Sequence, residues 1–318
     1  SRAGKDLYDA LHTWLHRIPG GLGVAVTLAC GLFAAMAGSS PATCSAIGSS
    51  GIPEMRHRGY SPGFAAGLVA AGGTLGILLP PSIVLILYAV AAEQSLGRLF
   101  LAGLGPGVLL VVLFSGYAML RWRTERREAA AVADAGGPRS PLLSEERFTM
   151  RERLAAAPRV LPFLILLTGV MVALYGGIAT PSETAGLGAV LALLLIAVVY
   201  GAWKPRDLVP IFTGTLGESG MLLMIIGMSL LYSYVMSYLH ISQGAAAWIV
   251  SLHLSKYLLL AAILVLVVML GFFLPPVSII LMTAPIILPP LRAAGFDLIW
   301  FGVVMAVVME MGLIHPPV

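Results

Sequence analysis

The chain has 318 residues, of which 58% are hydrophobic and 11% are charged, and its mean hydropathy is +0.94. Because so few polar side chains cannot cover an apolar interior, a water-soluble globular fold is excluded and lipid is the expected solvent. The formal net charge is +4, and no nucleic-acid partner is expected. Cys30 and Cys44 stand alone in apolar surroundings, so neither a disulfide framework nor a structural metal site is predicted.

Residues 1–18 predict an amphipathic helix. Leu7, Leu11 and Trp14 recur on one helical face, while charged residues such as Lys5 lie elsewhere. Two interpretations fit this pattern: the helix lies on the cytoplasmic membrane surface, or it packs on a neighbouring subunit.

The segment 19–92 combines a short apolar helix with an interrupted one. The apolar run 21–38 is followed by residues 42–54, which are too few for a complete return span. The next apolar stretch is interrupted at Gly72-Gly73-Thr74 and again at Pro80-Pro81. The sequence therefore predicts a re-entrant helical hairpin followed by a broken helix.

Longer apolar runs follow, and each approaches the ~20 residues that a bilayer core requires. We expect them to be transmembrane helices: residues 99–120, 160–176, 186–203, 216–238 and 257–274. The linker 121–159 carries nine arginines, which places it in the cytoplasm by the positive-inside rule. Thr180 and Glu183 fit a capping box at a helix start, and Glu218 is explained similarly by a helix dipole.

Residues 53–82 recur at 289–318 with a constant offset of 236 residues. Seven of the thirty positions are identical: Pro53/Pro289, Arg56/Arg292, Gly59/Gly295, Ala70/Ala306, Gly76/Gly312, Pro80/Pro316 and Pro81/Pro317. Corresponding Gly/Pro-interrupted apolar segments indicate the binding site of a secondary transporter. Counting crossings from the cytoplasmic linker places the two copies on opposite sides of the membrane.

The predicted fold class is an all-α integral membrane protein, an inverted-repeat elevator-type transporter with two re-entrant helical hairpins and two broken helices. The expected segments are an interfacial helix (1–18), a first hairpin with its broken helix (19–92), a transmembrane helix (93–120), a cytoplasmic linker (121–159), transmembrane helices of the second repeat (160–252) and a second hairpin with the start of its broken helix (253–318). A longer parent protein is expected.

Non-helical backbone at membrane depth survives only where protein or a polar cavity supplies its hydrogen-bond partners. At the first hairpin and break, freed carbonyls and hydroxyls form an oxygen-rich environment that suits a hard cation such as sodium. The predicted first cation site consists of Ser39, Ser40, Gly72, Gly73 and Thr74. Small residues also permit close helix packing and proline also kinks helices, so a structural role stays open.

The second copy is chemically poorer, with a hairpin tip at 271–278 and a predicted break at 308–312. The predicted second cation site consists of Leu274, Pro275, Val277, Ser278, Val308 and Glu310. An intramembrane carboxylate such as Glu310 indicates function, although a paired structural role is the alternative.

Helix N-termini at the breaks present amides and a positive dipole end, which favour a carboxylate. The predicted substrate-binding residues are Ser40, Pro41, Thr43, Pro80, Pro81, Pro276 and Pro316. No catalytic residues are expected, because His315 lacks an acid partner in the pattern and no GxxxxGK motif occurs. The chain is therefore predicted not to be an enzyme.

These motifs resemble, in the same order, those of the large membrane subunit (DctM-like permease) of tripartite ATP-independent periplasmic (TRAP) transporters. The resemblance covers essentially the whole chain and is carried by GSSPATCSAIGSSGIPEMRHRGY, AAGGTLGILLPPSIVLILY, LFLAGLGPG, YGGIATPSETAGLGA, SIILMTAPIILPPLRAAGFDLIWFG and EMGLIHPP. The sequence departs from the family at Pro275, where an acidic residue is common, and at His315, where threonine is common.

The resemblance implies a sodium-coupled permease of the bacterial inner membrane, without an organic cofactor, that imports organic acids such as C4-dicarboxylates or sugar acids. Besides the lipid bilayer and the substrate, it implies a small four-helix membrane subunit and a periplasmic substrate-binding protein as partners. Two alternatives stay open: a stand-alone ion or dicarboxylate carrier of the wider elevator superfamily, and a non-catalytic membrane scaffold.

Overall fold

The computed structural model describes residues 3–136, 140–143, 149–251 and 255–314, and within those ranges the protein is helical with no β-strand. The helices are α1 (Ala3–Leu15), α2 (Gly21–Ala37), α3 (Ser40–His57), α4 (Pro62–Gly73), α5 (Leu75–Leu78), α6 (Ile83–Ala92), α7 (Leu96–Asp134), α8 (Met150–Ala156), α9 (Leu161–Tyr175), α10 (Pro181–Tyr200), α11 (Pro205–Tyr238), α12 (Ile241–Ser251), α13 (Lys256–Gly271), α14 (Pro276–Ala293) and α15 (Leu298–Ile314). The predicted all-α character is confirmed.

Several helices have the length and composition to cross a membrane. In the described part of the chain they are Pro62–Ala92, Leu96–Asp134, Pro181–Tyr200, Pro205–Tyr238 and Pro276–Ala293, with a sixth if the 42° bend between Met150–Arg159 and Leu161–Tyr175 lies within one span. The most apolar windows of α10 and α11 are only 11% and 6% buried by the rest of the chain. Lipid or another subunit must therefore cover these two helices.

The chain divides into two compact units, each with its own core. The first comprises Ser1–Ser82 and Gly103–Met171, and the second comprises Ile83–Ala102 and Val172–Val318. Large side chains buried in the first unit include Leu7, Tyr8, Ile47, Met55 and Phe163. Those buried in the second unit include Leu85, Tyr88, Phe100, Ile280 and Phe301.

The apolar face of α1 is covered by helices of its own unit. Leu7 and Tyr8 are almost completely buried, and α1 packs on α2, α3 and α8. Neither interpretation of residues 1–18 foresaw this intrachain packing. Trp14 and Ile18 stay exposed at its C-terminal end, where a membrane surface remains a predicted neighbour.

The helix α7 is longer than the sequence predicted. It continues to Asp134, so the first third of the predicted linker 121–159 is helical, because Arg, Glu and Ala are strong helix formers. Glu125 fixes this extension: its carboxylate accepts the backbone N–H of Ser61 at 3.2 Å and the Ser61 hydroxyl proton, and it lies 3.4 Å from Nε of Arg121. The cytoplasmic location of the linker stays a prediction.

The predicted capping box at the start of α10 is confirmed. The backbone N–H of Thr180 donates to Oε2 of Glu183 at 2.8 Å, and the N–H of Glu183 donates to Oγ1 of Thr180 at 3.4 Å. The explanation of Glu218 is wrong. Because α11 begins at Pro205 rather than at residue 216, Glu218 lies in the helix interior, away from the N-terminal dipole.

The helices repeat at the offset found in the sequence. Both ends of α3 and of α14 differ by 236 residues, and the start of α4 and the end of α5 match the start and end of α15 at the same offset. The C-terminal ends of α1 and α12 also differ by 236, and α2 and α13 match within two residues. The duplication thus extends beyond the thirty aligned residues to four consecutive helical segments. The opposite insertion of the two copies stays a prediction.

The two copies differ at the predicted breaks. Thr74 forms a turn between α4 and α5, whereas α15 is helical through residues 308–312. The predicted break at 308–312 is therefore wrong. The reason lies in local propensity, because Val-Met-Glu-Met disfavours a helix far less than the corresponding Gly-Gly-Thr does. The second proline pair, Pro316-Pro317, lies outside the described residues.

Candidate functional site: the first hairpin and its partner glycines

The first hairpin turns within two residues. Gly38, which ends α2, has a left-handed φ of 60°, a conformation that glycine adopts without strain. Ser39 is extended, and α3 begins at Ser40 with Pro41 in its first turn. Thr43 therefore belongs to the first turn of a helix rather than to a loop. The helical hairpin itself is confirmed, while its re-entry into the membrane stays a prediction.

The tip of this hairpin lies against bare backbone at Gly76. A Cβ atom added to Gly76 would lie 2.6 Å from the carbonyl carbon of Ser39 and 2.7 Å from the backbone nitrogen of Ser40. Real Cβ atoms do not approach other atoms so closely, and both neighbours are backbone atoms that have little room to move. Glycine at this position is therefore a condition for the contact between the tip and α5.

Two further glycines receive the cysteine side chains of the hairpin. A Cβ atom on Gly72 would lie 2.7 Å from Sγ of Cys30, and one on Gly73 would overlap Sγ of Cys44. Both cysteines are free, which agrees with the prediction that they pack as small apolar residues. The C-terminal end of α4 is thus packed closely against α2 and α3.

Two buried hydroxyl groups lie in the tip and in the turn after α4. Oγ1 of Thr43 donates to the carbonyl oxygen of Ser39 at 2.9 Å, and Oγ1 of Thr74 donates to the carbonyl oxygen of Ala71 at 2.6 Å. Because each hydroxyl proton is engaged by a carbonyl, the lone pairs of both hydroxyl oxygens remain for an electrophile. Oxygen ligands of this kind suit a hard cation.

The residues of the predicted first cation site fall in two segments that pack together. Ser39 and Ser40 form the hairpin tip, while Gly72, Gly73 and Thr74 form the end of α4 and its turn. A Cβ atom on Gly73 would lie 3.4 Å from the carbonyl oxygen of Ser40, which shows how closely the segments approach. Ion binding by these residues stays a prediction.

The predicted substrate-binding residues are distributed over both units. In the first unit Ser40, Thr43 and Pro80 are buried, whereas Pro41 is exposed and Pro81 is half-buried. The predicted break at this proline pair is confirmed, because α5 ends at Leu78 and α6 begins at Ile83. The second unit contributes Pro276 as the first residue of α14, and Pro316 lies outside the described residues.

The second hairpin also packs on a glycine. It turns at residues 272–275, between α13 and α14. A Cβ atom on Gly312 would lie 2.8 Å from Cα of Gly271, so α13 and α15 are in backbone contact. Gly312 corresponds to Gly76 at the 236-residue offset. Each hairpin is therefore seated on the equivalent glycine of its own repeat.

The predicted second cation site is less well formed for ion binding. Glu310 is buried and corresponds to Thr74 at the same offset, but Val308 lies within the unbroken α15, where helical hydrogen bonds engage its carbonyl. The other predicted ligands lie at or just after the tip: Leu274, Pro275, Val277 and Ser278. Among the described residues no group of three or more His, Cys, Asp or Glu side chains could hold a metal ion. This second site stays a prediction.

The sequence analysis did not assign Gly76 or Cys44 to the site. Gly76 carries the tip contact, and Cys44 packs on Gly73 while its thiol lies 3.6 Å from the carbonyl oxygen of Val69. The identity of Gly76 and Gly312 in the repeat was the signal that could have identified the first of them.

The whole chain, residues 1–318, matches the family described as "Tripartite ATP-independent periplasmic transporter, DctM component". The chain belongs to this family. It is 37% identical over 314 residues to the C4-dicarboxylate TRAP transporter large permease protein DctM of Pseudomonas aeruginosa, a match that covers 99% of this chain and 70% of that protein. It is 37% identical to the protein of the same description from Rhodobacter capsulatus, over 94% of this chain and 68% of that protein.

A third relative extends the comparison to another substrate name. The Ectoine TRAP transporter large permease protein TeaC of Halomonas elongata is 31% identical over 317 residues, covering 99% of this chain and 70% of that protein. These relatives are transporter permease subunits and not enzymes. The DctM-family assignment, together with the apolar helices, makes the chain a multi-pass membrane protein and confirms the resemblance found in the sequence.

Proposed function

We propose that this DctM-family chain is the large permease subunit of a sodium-coupled secondary transporter that imports C4-dicarboxylates or related organic acids across the bacterial inner membrane. The observation that carries the proposal is the hairpin tip seated on Gly76 beside the Thr74 turn. Two relatives at 37% identity are described as C4-dicarboxylate permeases, which supports this substrate class.

Cation coupling rests on the oxygen chemistry of the first site. The hydroxyl oxygens of Thr43 and Thr74 are buried and keep their lone pairs, and a cation would replace the hydration that lipid cannot give. The N-terminal end of α3 starts at the same tip, and its free amides favour a carboxylate. An ion and an acid would therefore be bound side by side, and hairpin movement would carry both by an elevator mechanism.

The proposed partners are a small membrane subunit and a periplasmic substrate-binding protein, as the family description implies. The bare apolar surfaces of α10 and α11 are consistent with contacts to lipid and to a membrane subunit. Selection of the substrate would belong largely to the binding protein, since the tip offers small and general polar groups.

The test is uptake of a labelled C4-dicarboxylate into proteoliposomes that contain the full-length permease and its small subunit. We expect accumulation when an inward sodium gradient and the cognate binding protein are both present. Equal uptake with potassium, or uptake driven by ATP alone, would contradict the proposal. Uptake without any binding protein would instead support a stand-alone carrier.

A second arm separates transport from a scaffold role. Replacing Ser40 and Thr74 with leucine should abolish sodium-dependent uptake, because both side chains are buried at the predicted site. Normal uptake by a correctly assembled complex of this variant would contradict the site assignment. Assembly is followed by co-purification of the small subunit.

A further inference from the structure

A basic cavity lies in the first unit at the end of the hairpin opposite to its tip. It has a volume of about 1030 Å³ and is formed where α1 ends, α2 begins and α3 ends, with α7 beside them. Because α2 has 17 residues, this cavity is about 25 Å from the tip along the helix. It is therefore separate from the predicted ion and substrate sites.

Positive charge in this cavity exceeds negative charge. Arg17, Arg58 and Arg126 line it, together with the single carboxylate of Glu54. Nε of Arg58 lies 2.7 Å from Oε1 of Glu54, so that pair is internally balanced. The guanidinium of Arg126 stacks 5.0 Å above the ring of Trp122. Within the described part of the chain, Arg17 and Arg126 form no ion pair, which leaves two cationic groups for an anion.

A third guanidinium lies behind the cavity wall. Arg153 is 8% exposed, and its Nη2 atom is 3.2 Å from Nε2 of His16, a residue that lines the cavity. Nδ1 of His16 lies 2.9 Å from the carbonyl oxygen of Thr13, so Nδ1 carries the proton and Nε2 accepts from Arg153. His16 is then neutral, and the charge of Arg153 is not cancelled by it.

The buried guanidinium of Arg153 is incompletely satisfied. Its Nε atom has no hydrogen-bond partner among the described residues, and no carboxylate of those residues pairs with it. A buried charge without a counter-charge is costly, and an external anion in the adjoining cavity would lower that cost. This is the second, independent indication of an anionic ligand.

The surroundings of the cavity indicate where the anion comes from. Ile18 lines the cavity and is 37% exposed, and the nearby Trp14 is 45% exposed while its Nε1 donates to the carbonyl oxygen of Arg153 at 3.1 Å. Exposed tryptophan and aliphatic side chains next to basic groups are typical of the membrane–water interface. Basic pockets between membrane helices suit anionic lipid headgroups.

We propose that this cavity binds a phosphate group, and that its source is the headgroup of an anionic phospholipid. The phosphate lies against Arg17 and Arg126 with Arg153 behind it, and the acyl chains leave past Ile18 and Trp14. A lipid held in this way joins α1 to α7 and stabilises the end of the hairpin that does not carry the tip.

The test measures the affinity of the full-length permease, in detergent, for a short-chain phosphatidylglycerol. The variant Arg17→Gln with Arg126→Gln should bind this lipid at least about tenfold more weakly, since each lost charge-assisted contact is worth up to about a factor of ten. The matched control is Arg123→Gln with Arg127→Gln, which removes the same charge from exposed positions of α7 that do not line the cavity. The control should change affinity by less than about threefold.

Three results would overturn the proposal. The first is an equal loss in both double variants, which indicates a diffuse charge effect. The second is equally tight binding of phosphatidylcholine, whose headgroup has no net charge. The third is inorganic phosphate binding as tightly as phosphatidylglycerol, which makes the ligand a soluble anion. If the double variant unfolds, Arg17→Gln alone replaces it, because Arg17 is exposed and should show a smaller loss in the same direction.

Discussion

Gly76 is the residue on which the seating of the first hairpin depends most. We predict that Gly76→Ala lowers the unfolding temperature of the detergent-solubilised permease and strongly reduces uptake. The added Cβ would lie 2.6 Å from a backbone carbon of the tip, and relieving such an overlap costs about 1–3 kcal/mol. Thermal unfolding and proteoliposome uptake measure the two effects.

Gly67→Ala is the matched control for this change. Gly67 lies in α4, and a Cβ atom there would meet nothing within 4 Å. Since alanine favours a helix over glycine by about 0.5–1 kcal/mol, the control should be neutral or slightly stabilising. Equal losses in the two variants would show that the tip contact at Gly76 has no special role.

Thr74 tests the chemistry of the first site. We predict that Thr74→Val raises the sodium concentration for half-maximal uptake by about tenfold, because losing one oxygen ligand from a buried site costs roughly 1–2 kcal/mol. The control is Thr27→Val, which removes a buried hydroxyl of α2 that donates to the carbonyl oxygen of Gly23 at 3.0 Å. A similar sodium dependence in both variants would remove Thr74 from the site.

At the scale of helices, α13 and α15 cross through backbone contact between Gly271 and Gly312. We predict that Gly312→Ala lowers the unfolding temperature of the permease, because its Cβ would lie 2.8 Å from Cα of Gly271 and the helices would have to separate. Gly220→Ala in α11, where a Cβ atom meets nothing within 4 Å, should have no such effect. An unchanged unfolding temperature for Gly312→Ala would contradict the contact.

The sequence predicted those helix ends that are set by local chemistry. The capping box at Thr180 and Glu183 and the interruption at Pro80-Pro81 were found because each depends on a few adjacent residues. The ends of α7 and the start of α11 were missed, since polar residues such as those around Glu125 continue a helix as readily as they end a span. Hydropathy locates the apolar part of a helix and not its full length.

The candidate site was predictable in its location but not in its contacts. The glycine-rich turn and the hydroxyl-rich tip were identified from sequence, and the structure places them against each other. The role of Gly76 could not be derived, because a glycine at a close approach looks like any other helical glycine until its neighbour is known. The predicted second break was wrong because it was inferred from the first copy rather than from residues 308–312 themselves.

At the scale of the whole molecule, the account depends on a duplication whose copies enter the membrane from opposite sides. The helix bounds repeat from α1 to α5 and from α12 to α15, which establishes the repeat within the described residues. The opposite orientation rests on the excess of arginine in the linker 121–159. Alternating access around a central site requires that orientation.

Sided labelling of two equivalent positions tests this claim most directly. Lys5 in α1 and Ile241 in α12 are separated by 236 residues, and both are exposed. In cells expressing the full-length permease, we predict that a membrane-impermeant maleimide labels Ile241→Cys from the periplasmic side, and labels Lys5→Cys only after the inner membrane is opened. The unsubstituted protein gives the background of Cys30 and Cys44. Labelling of both positions from the same side would contradict the inverted repeat and the transport mechanism built on it.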